Sequence, residues 1–419
     1  MVLEIRVGNF FSVGDEITLD LKAGNINTAK AKSLPDNVVD FNGTDVLKTV
    51  AIYGANASGK SNLIKAIRFC NALVFESHQH NENTVYNFQP FKFNTSKNKP
   101  STYFIRFVAQ EVEYEYAFSL TRNEILTESL YHYPNGRRAK VFERDENAGN
   151  TKKDKYSFAS GSIKRPMDVA ESTSNKTLFI SRASQMDRDI AKLIFNYFHQ
   201  SFILDYVAYS HKHAHEMITN YKGLLLSALK MADSDIIDFK HKLNTKKGKN
   251  IIANPKTEEV TFNEVDVEDL EVKTYHKTAP NVPFDLITEE SSGTNKFFYI
   301  MLTILDVLKY NKVLLIDEIE DSLHPHIVDY IVRLFHSDRK AQLIFTTHNT
   351  NLLDLNKFRK DQIWFVNKGE AGNSELYSLF DYSDFRDTMD VEKAYLQGRF
   401  DAVPIVNDSS DNIQKLVNG

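Results

Sequence analysis

The chain has 419 residues, 42% hydrophobic and 26% charged, with a net charge of -5. That length carries two or three domains, and the balance is that of a globular protein rather than a disordered or fibrous one. The slight acidity gives no bulk attraction to nucleic acid or anionic lipid, and the single cysteine, Cys70, excludes an internal disulfide or a cysteine-built zinc site.

Met1-Val2-Leu3-Glu4 has neither the basic segment nor the apolar stretch of a signal peptide. No run approaches the roughly 18 apolar residues of a membrane span, so a cytoplasmic chain without a membrane partner is expected. Two short strands, Leu3 to Val7 and Glu16 to Leu21, flank a turn at Gly14. Residues 23–46 are polar, carry Gly24, Pro35 and Gly43, and read as a loop.

An apolar run, Val50-Ala51-Ile52-Tyr53, then enters Gly54-Ala55-Asn56-Ala57-Ser58-Gly59-Lys60-Ser61. Apolar residues at helical spacing (Leu63, Ile64, Ile67) lead out. Strand, glycine-rich turn and helix form the context in which this pattern binds phosphate. The glycines let successive N–H groups point inward as an anion nest, and the helix adds its positive end. Lys60 reaches the β- and γ-phosphates, and the Ser61 hydroxyl holds Mg²⁺. Gly54, Asn56, Ser58, Gly59, Lys60, Ser61 and Asn62 form the expected nucleotide-binding set. The competing reading, a flexible glycine loop, fails because both flanks are correct. Cys70, beside Phe69 on this helix, reads as a buried structural thiol.

The pattern degrades around Ser77 to Asn87, and Gln89-Pro90-Phe91 stands alone. From Ser101 to Glu146 the period becomes two, with Tyr103, Ile105 and Phe107 followed by Tyr114, Tyr116 and Phe118. Strands split by Gln110-Glu111, Thr121-Arg122-Asn123 and Pro134-Asn135-Gly136 predict an antiparallel meander. Without a glycine-aromatic RNA-recognition signature, the aromatic stripe reads as core rather than a base-stacking platform.

Residues 147–175 are polar and basic and read as a mobile loop. Arg137, Arg138, Lys140, Arg144, Lys152, Lys153 and Lys155 are the candidate nucleic-acid patch, set against a solvated loop and strand face. Asn175 to about Lys230 is helical in pattern, with Leu193, Ile194, Tyr197 and Phe198 at helical spacing. His211 and His215 share a helix face at a spacing that can bind metal, with His213 between them. No acidic partner sits at the matching turn, which favours ordinary surface histidines. Ile236 to Leu243 reads as a strand, Lys246-Lys247-Gly248-Lys249 as a turn, and the acid-rich stretch Glu258 to Glu271 as a second hairpin. No heptad repeat or internal repeat is present.

Glu290-Ser291-Ser292-Gly293-Thr294 precedes a helical pattern from Phe297 to Leu308, and can present a hydroxyl and bare N–H groups to a phosphate or serve as a plain N-cap. Val313-Leu314-Leu315-Ile316 ends in Asp317-Glu318, carboxylates that emerge at the ligand-binding edge of a parallel sheet. Asp317 is placed to hold Mg²⁺, and Glu318 to polarise the attacking water. A second apolar strand, Gln342-Leu343-Ile344-Phe345, ends in Thr346-Thr347-His348, where His348 can bond the γ-phosphate or that water. Asp381, Asp384, Asp387 and Asp390 suggest a metal cluster, but their loop setting favours solvated acids.

The order P-loop, isolated glutamine, Ser-Gly helix start, apolar-Asp-Glu and apolar-Thr-Thr-His resembles the ATPase heads of the ABC superfamily, in the branch with the SMC and RecF proteins. The resemblance covers residues 1 to about 120 and 280 to about 370. It implies an α/β fold: a P-loop ABC-type ATPase head, with a mixed sheet core plus antiparallel β subdomain and an inserted, mainly helical subdomain. The expected domains are residues 1–146, 147–280 and 281–419. It also implies ATP and Mg²⁺ as cofactors, with Gln89 sensing metal and γ-phosphate. Ser292 and Gly293 would cap the nucleotide of a second copy in a sandwich dimer, and Asp321 would lie at the dimer seam. Here the signature is Ser-Ser-Gly-Thr rather than Leu-Ser-Gly-Gly.

Ile319-Glu320-Asp321-Ser322-Leu323-His324-Pro325 and the tail Glu392 to Phe400, with Pro404 behind it, resemble the AAA_15/AAA_21 ATPases of bacterial anti-phage systems, among them AbiL, RloA-type and PARIS subunits. That implies an ATPase acting as sensor and scaffold, triggered by a phage protein or DNA and controlling a separate effector, a nuclease. The alternative is a RecF-like clamp on duplex DNA. The roughly 70 residues after His348 are too few for a further catalytic domain of typical size.

Overall fold

The computed structural model describes residues 1–93, 99–204, 210–232, 235–253, 260–337, 339–404 and 417, without the side chains of 249–265. Two compact units result. The first comprises Met1–Ile203, Asn311–Ile319 and Ile331–Gly419; the second comprises Leu204–Tyr310 and Glu320–Tyr330. Residues 147–203, grouped with the insertion on sequence grounds, therefore belong to the first unit.

The first unit holds two sheets that position the site. One is a seven-stranded antiparallel sheet ordered Tyr156–Phe158, Ala139–Asp145, Ile125–His132, Val112–Leu120, Ser101–Ala109, Val2–Gly8 and Ile17–Asp20. The two-residue period predicted for 101–146 sets its register, with Tyr103 opposite Phe118, Ile105 opposite Tyr116 and Phe107 opposite Tyr114. All six rings and chains are buried. Phe107 stacks on Tyr197 at 4.3 Å, and the Tyr103 hydroxyl donates to Asn71 Oδ1 on the P-loop helix at 2.6 Å. The aromatic stripe is core, as burial of one sheet face requires.

A buried charge ties this sheet to the following helix. Glu128 is fully buried and accepts from the Phe179 and Ile180 N–H groups at 2.5 and 3.0 Å and from the Tyr116 hydroxyl at 2.9 Å. Arg144 lies 3.6 Å away. Those donors satisfy the carboxylate at the start of the helix Phe179–Gln185.

The other sheet has six strands, ordered Phe202–Leu204, Val313–Ile316, Gln342–Thr346, Thr49–Gly54, Ile363–Lys368 and Ser374–Ser378. From Val313–Ile316 to Ile363–Lys368 the four strands run parallel, and the last pair is antiparallel. The central strands read as continuous apolar runs because both faces are covered.

Three expectations change. Residues 23–46, read as a loop, contain a helical turn at Ala29–Lys32 and a hairpin of Val38–Phe41 with Thr44–Leu47. Residues 147–175, read as mobile, hold a capping box at Thr151 and Asp154, an added strand at Tyr156–Phe158 and a helix at Pro166–Glu171. Lys246 to Lys249, read as a turn, lie inside a strand.

That strand belongs to the second unit. Ile236–Ala253 pairs with Val260–His276 as a ribbon of about 55 Å at ordinary strand rise, and Ala279–Asp285 adds a third strand at its base. The lysines that suggested a turn instead zip the ribbon: Lys247 pairs with Asp266 at 2.7 Å and Lys246 with Asp269. The insertion is thus as much ribbon as helix. The helices His211–Ala232 and Ser292–Lys309 complete the unit, with Phe239 edge-on to Phe298 at 5.4 Å. No helix among the described residues is long and apolar enough to cross a membrane.

Candidate nucleotide-binding site

Strand Thr49–Gly54 ends where the helix Lys60–Glu76 is about to begin, and the turn between them is held by steric necessity. A Cβ on Gly54 would stand 2.4 Å from the Val366 carbonyl, and one on Gly59, at φ +110°, 1.9 Å from Ser374 Oγ. Neither position accepts a side chain. Ala57 also takes a left-handed conformation, at φ +64°. Gly59 offers no side-chain cap, so the first-turn N–H groups stay open to an anion. Lys60 is buried and its Nζ donates to the carbonyls of Gly54 at 2.6 Å and Ala55 at 3.3 Å, inside the turn.

The parallel register brings the carboxylates to the same sheet edge. Ile316 lies opposite Phe345, and Phe345 opposite Ala51, so Asp317 emerges beside Thr346 and both beside the start of the P-loop. Thr346 Oγ1 donates to Asp317 Oδ1 at 2.6 Å and accepts the Glu318 N–H at 2.7 Å. Glu318 is exposed with φ +52°, a strained left-handed backbone for a non-glycine residue. His348 is exposed just beyond the end of its strand.

Gln89 is brought to the P-loop. The Phe11 N–H donates to its carbonyl at 2.7 Å, and its side chain lines a cavity of 370 Å³ with Ala57, Ser58 and Asn62. Hydroxyl, carboxylate and amide oxygens from Ser61, Asp317 and Gln89 are the hard donors that suit Mg²⁺, which keeps several waters and shares substrate phosphates.

The second unit carries the Ser-Gly segment expected to serve as the signature. Ser291 caps the helix Ser292–Lys309, accepting from the Thr294 N–H at 3.0 Å, and leaves Ser292 exposed in its first turn. Gly293 lies against the segment after Glu320: a Cβ there would meet the Ser322 carbonyl at 3.0 Å. Lys296 Nζ donates to Asp321 at 2.9 Å and holds that carboxyl below its ordinary range.

Sequence reasoning missed three residues. Thr346 looked like the end of a strand, yet it binds the Asp317 carboxylate and the Glu318 backbone N–H. Ser12 and Ser374, 362 residues apart, meet at 2.8 Å beside Gly59, and Asn62 Nδ2 donates to Ser12 at 2.9 Å. No local pattern marks them.

Other candidates are occupied elsewhere. His211 accepts from the Leu270 N–H at 3.0 Å, and His215 meets His241 at 3.1 Å. No group of three potential metal ligands occurs among the described residues. The C-terminal aspartates do structural work: Asp381 accepts from the Ser378 N–H, Asp384 pairs with Arg399, Asp387 with Lys360, and Asp390 caps Val391–Leu396. Much of the basic stretch is neutralised internally, Arg138 by Glu115, Lys140 by Glu143, and Arg144 and Lys155 by Glu146.

Residues 50–354 match the family AAA_21, described as "AAA domain, putative AbiEii toxin, Type IV TA system". The chain belongs to the AAA_21 family. As an AAA_21 member it is an AAA-type, nucleotide-binding ATPase-family protein. Among solved structures, an SMC head bound to the C-terminal winged-helix domain of ScpA is 13% identical, covering 94% of this chain and 99% of its own, with a TM-score of 0.42. The SMC head domain from Thermotoga maritima is also 13% identical, covering 90% and 98%, with a TM-score of 0.39. At these scores neither adds to what the topology shows. A comparison with curated proteins finds no match.

Proposed function

We propose that this AAA_21 protein hydrolyses ATP between two copies of itself and uses that cycle to control a separate effector in bacterial anti-phage defence. The observation that carries the hydrolytic reading is the Thr346 hydroxyl, which fixes Asp317 and Glu318 at the strand edge that also bears the P-loop.

Lys60 and the P-loop N–H groups hold the β- and γ-phosphates. Ser61, Gln89 and Asp317 would hold Mg²⁺, which when bound offsets charge on the phosphate oxygens. Glu318 orients a water in line with the γ-phosphorus. The new P–O bond forms as the bond to the β-phosphate oxygen breaks, and inorganic phosphate and ADP leave. His348 contacts the γ-phosphate or the water. Ser292 and Gly293 of a second copy close the pocket, so the dimer reports which nucleotide is present. The resemblance to abortive-infection ATPases, together with the family description, supports defence as the setting; a nuclease as the effector and a phage component as the trigger rest on the resemblance alone.

A duplex-DNA clamp of the RecF kind has less support, since much of its candidate patch is already paired with carboxylates. The test is steady-state ATP hydrolysis of wild type and Glu318→Gln, with mass measured in solution. Glu318→Gln is expected to bind ATP, lose turnover by about 10²-fold or more and accumulate as a dimer. Wild-type turnover in Glu318→Gln would overturn the assignment.

A further inference from the structure

The cavity that Gln89 shares with the P-loop has a second wall whose chemistry differs from that of a phosphate site. Three phenylalanines line it, Phe11, Phe91 and Phe93. Phe93 is 54% exposed, unusual for so large an apolar ring, while Phe91 behind it is buried. The two rings meet edge-on at 5.2 Å.

Both rings rest on glycine backbone. A Cβ on Gly14 would stand 2.9 Å from the Phe91 ring, and one on Gly372, at φ +78°, 2.9 Å from the Phe93 ring. A second observation marks the cavity as a ligand site. The Ser58 hydroxyl is among its lining groups, buried and without a hydrogen-bond partner, where the cavity meets the phosphate nest.

We propose that this cavity receives the nucleobase of the bound triphosphate, stacked on Phe93, and that it takes adenine and guanine nearly alike. The inference rests on the ATPase reading and extends it to base selection. An exposed aromatic face adjoining a phosphate nest suits a planar heteroaromatic ring on an anionic tail. Stacking reads the π-face that every base has, and purines offer more of it than pyrimidines.

The small polar side chains here are turned to one another. Asn62 Nδ2 donates to Ser12 Oγ, and Ser374 Oγ lies 2.8 Å from both Ser12 Oγ and the Ser58 carbonyl. Among the described residues the cations that line it, Lys92 and Lys368, are exposed flexible ammonium groups. Strong rejection of one base needs rigid, unpaired donors and acceptors that the wrong base leaves unsatisfied. Among the described residues this wall supplies an aromatic face instead, and the unpartnered Ser58 hydroxyl lies at its phosphate end.

The test measures binding of ATP, GTP, CTP, UTP and inorganic tripolyphosphate to the full chain, in wild type, Phe93→Ala and Phe93→Trp. Wild type is expected to bind ATP and GTP within about tenfold of each other and both pyrimidine nucleotides more weakly. Phe93→Ala should weaken ATP and GTP by about tenfold or more while leaving tripolyphosphate unchanged, and Phe93→Trp should keep nucleotide affinity. An unchanged ATP affinity in Phe93→Ala, or rejection of GTP by more than about 10²-fold, overturns the proposal. Either result with tripolyphosphate still bound leaves the ATPase reading standing. If wild type binds neither tripolyphosphate nor any nucleotide, both fall together.

Discussion

Thr346 is the residue on which the chemistry turns, because one buried hydroxyl serves two carboxylate-bearing positions. Thr346→Val keeps the shape but removes the donor to Asp317 and the acceptor for the Glu318 N–H. The variant should fold, with a stability cost of about 1–3 kcal/mol for the groups left unpaired. Its turnover and apparent Mg²⁺ affinity should fall by about 10–100-fold, as losing an orienting partner does. Thr346→Ser should recover most of both. Equal ATPase rates for Thr346→Val and wild type would show that the hydroxyl orients nothing. The carboxylates were legible because they end an apolar run; Thr346 was not, since a buried β-branched residue suits a strand whether or not its hydroxyl is used. Ser12 and Ser374 were invisible for a different reason: they meet only where the Ser374 N–H, at the start of its strand, donates at 2.7 Å to the Ser12 carbonyl in a turn 362 residues away.

At the scale of elements, Glu128 and Arg144 show why the meander and the stretch after it form one body. Arg144 gives its guanidinium to the carbonyls of Thr177 and Ser174 and to Glu146, while Glu128 receives two N–H groups of the helix Phe179–Gln185. Glu128→Ala strands those donors and removes a buried countercharge, and should lower unfolding free energy by about 3 kcal/mol in denaturant titration. The charges were read as a solvated loop because single-sequence patterns show each lysine and arginine but not the acid across the fold.

The signature helix carries a pH dependence of its own. Partial burial pulls the His276 imidazolium down, but the carboxylates of Glu290 and Asp235, at 2.8 and 3.3 Å, outweigh it and hold its pKa above the ordinary value. Stability from a raised histidine pKa is full below the unfolded value near 6.5 and is lost as pH rises through the folded value. Amides of Ser291 to Thr294 should therefore exchange faster, relative to their intrinsic rates, at pH 8.5 than at pH 6. Replacing His276 with Phe should remove that difference, and a difference that persists would assign it to another group. The ribbon beside this histidine is where sequence reading stopped early, since Lys-Lys-Gly-Lys has the composition of a turn. Cross-strand pairing with acids 19 to 23 residues away carries the strand through it.

For the whole molecule, the decisive question is whether one chain or two make a working site. In a two-fold dimer each pocket would take Lys60 from one copy and Ser292 from the other, so the two residues would fail in different ways when mixed. Lys60→Ala alone leaves both pockets without the amine proposed to hold the phosphates. Ser292→Arg alone places a bulky cation where the second copy must approach, and should block both closures. Mixed in equal amounts, half of random dimers would pair one of each variant. In such a pair one pocket carries both defects and the other carries neither. Activity should return to about a quarter of the wild-type rate per chain if the pockets act independently. The measurement is ATP hydrolysis across a mixing series at fixed total protein, with each variant's fold checked separately. A rate that stays at the sum of the two variants alone would mean that Lys60 and Ser292 never serve a common nucleotide.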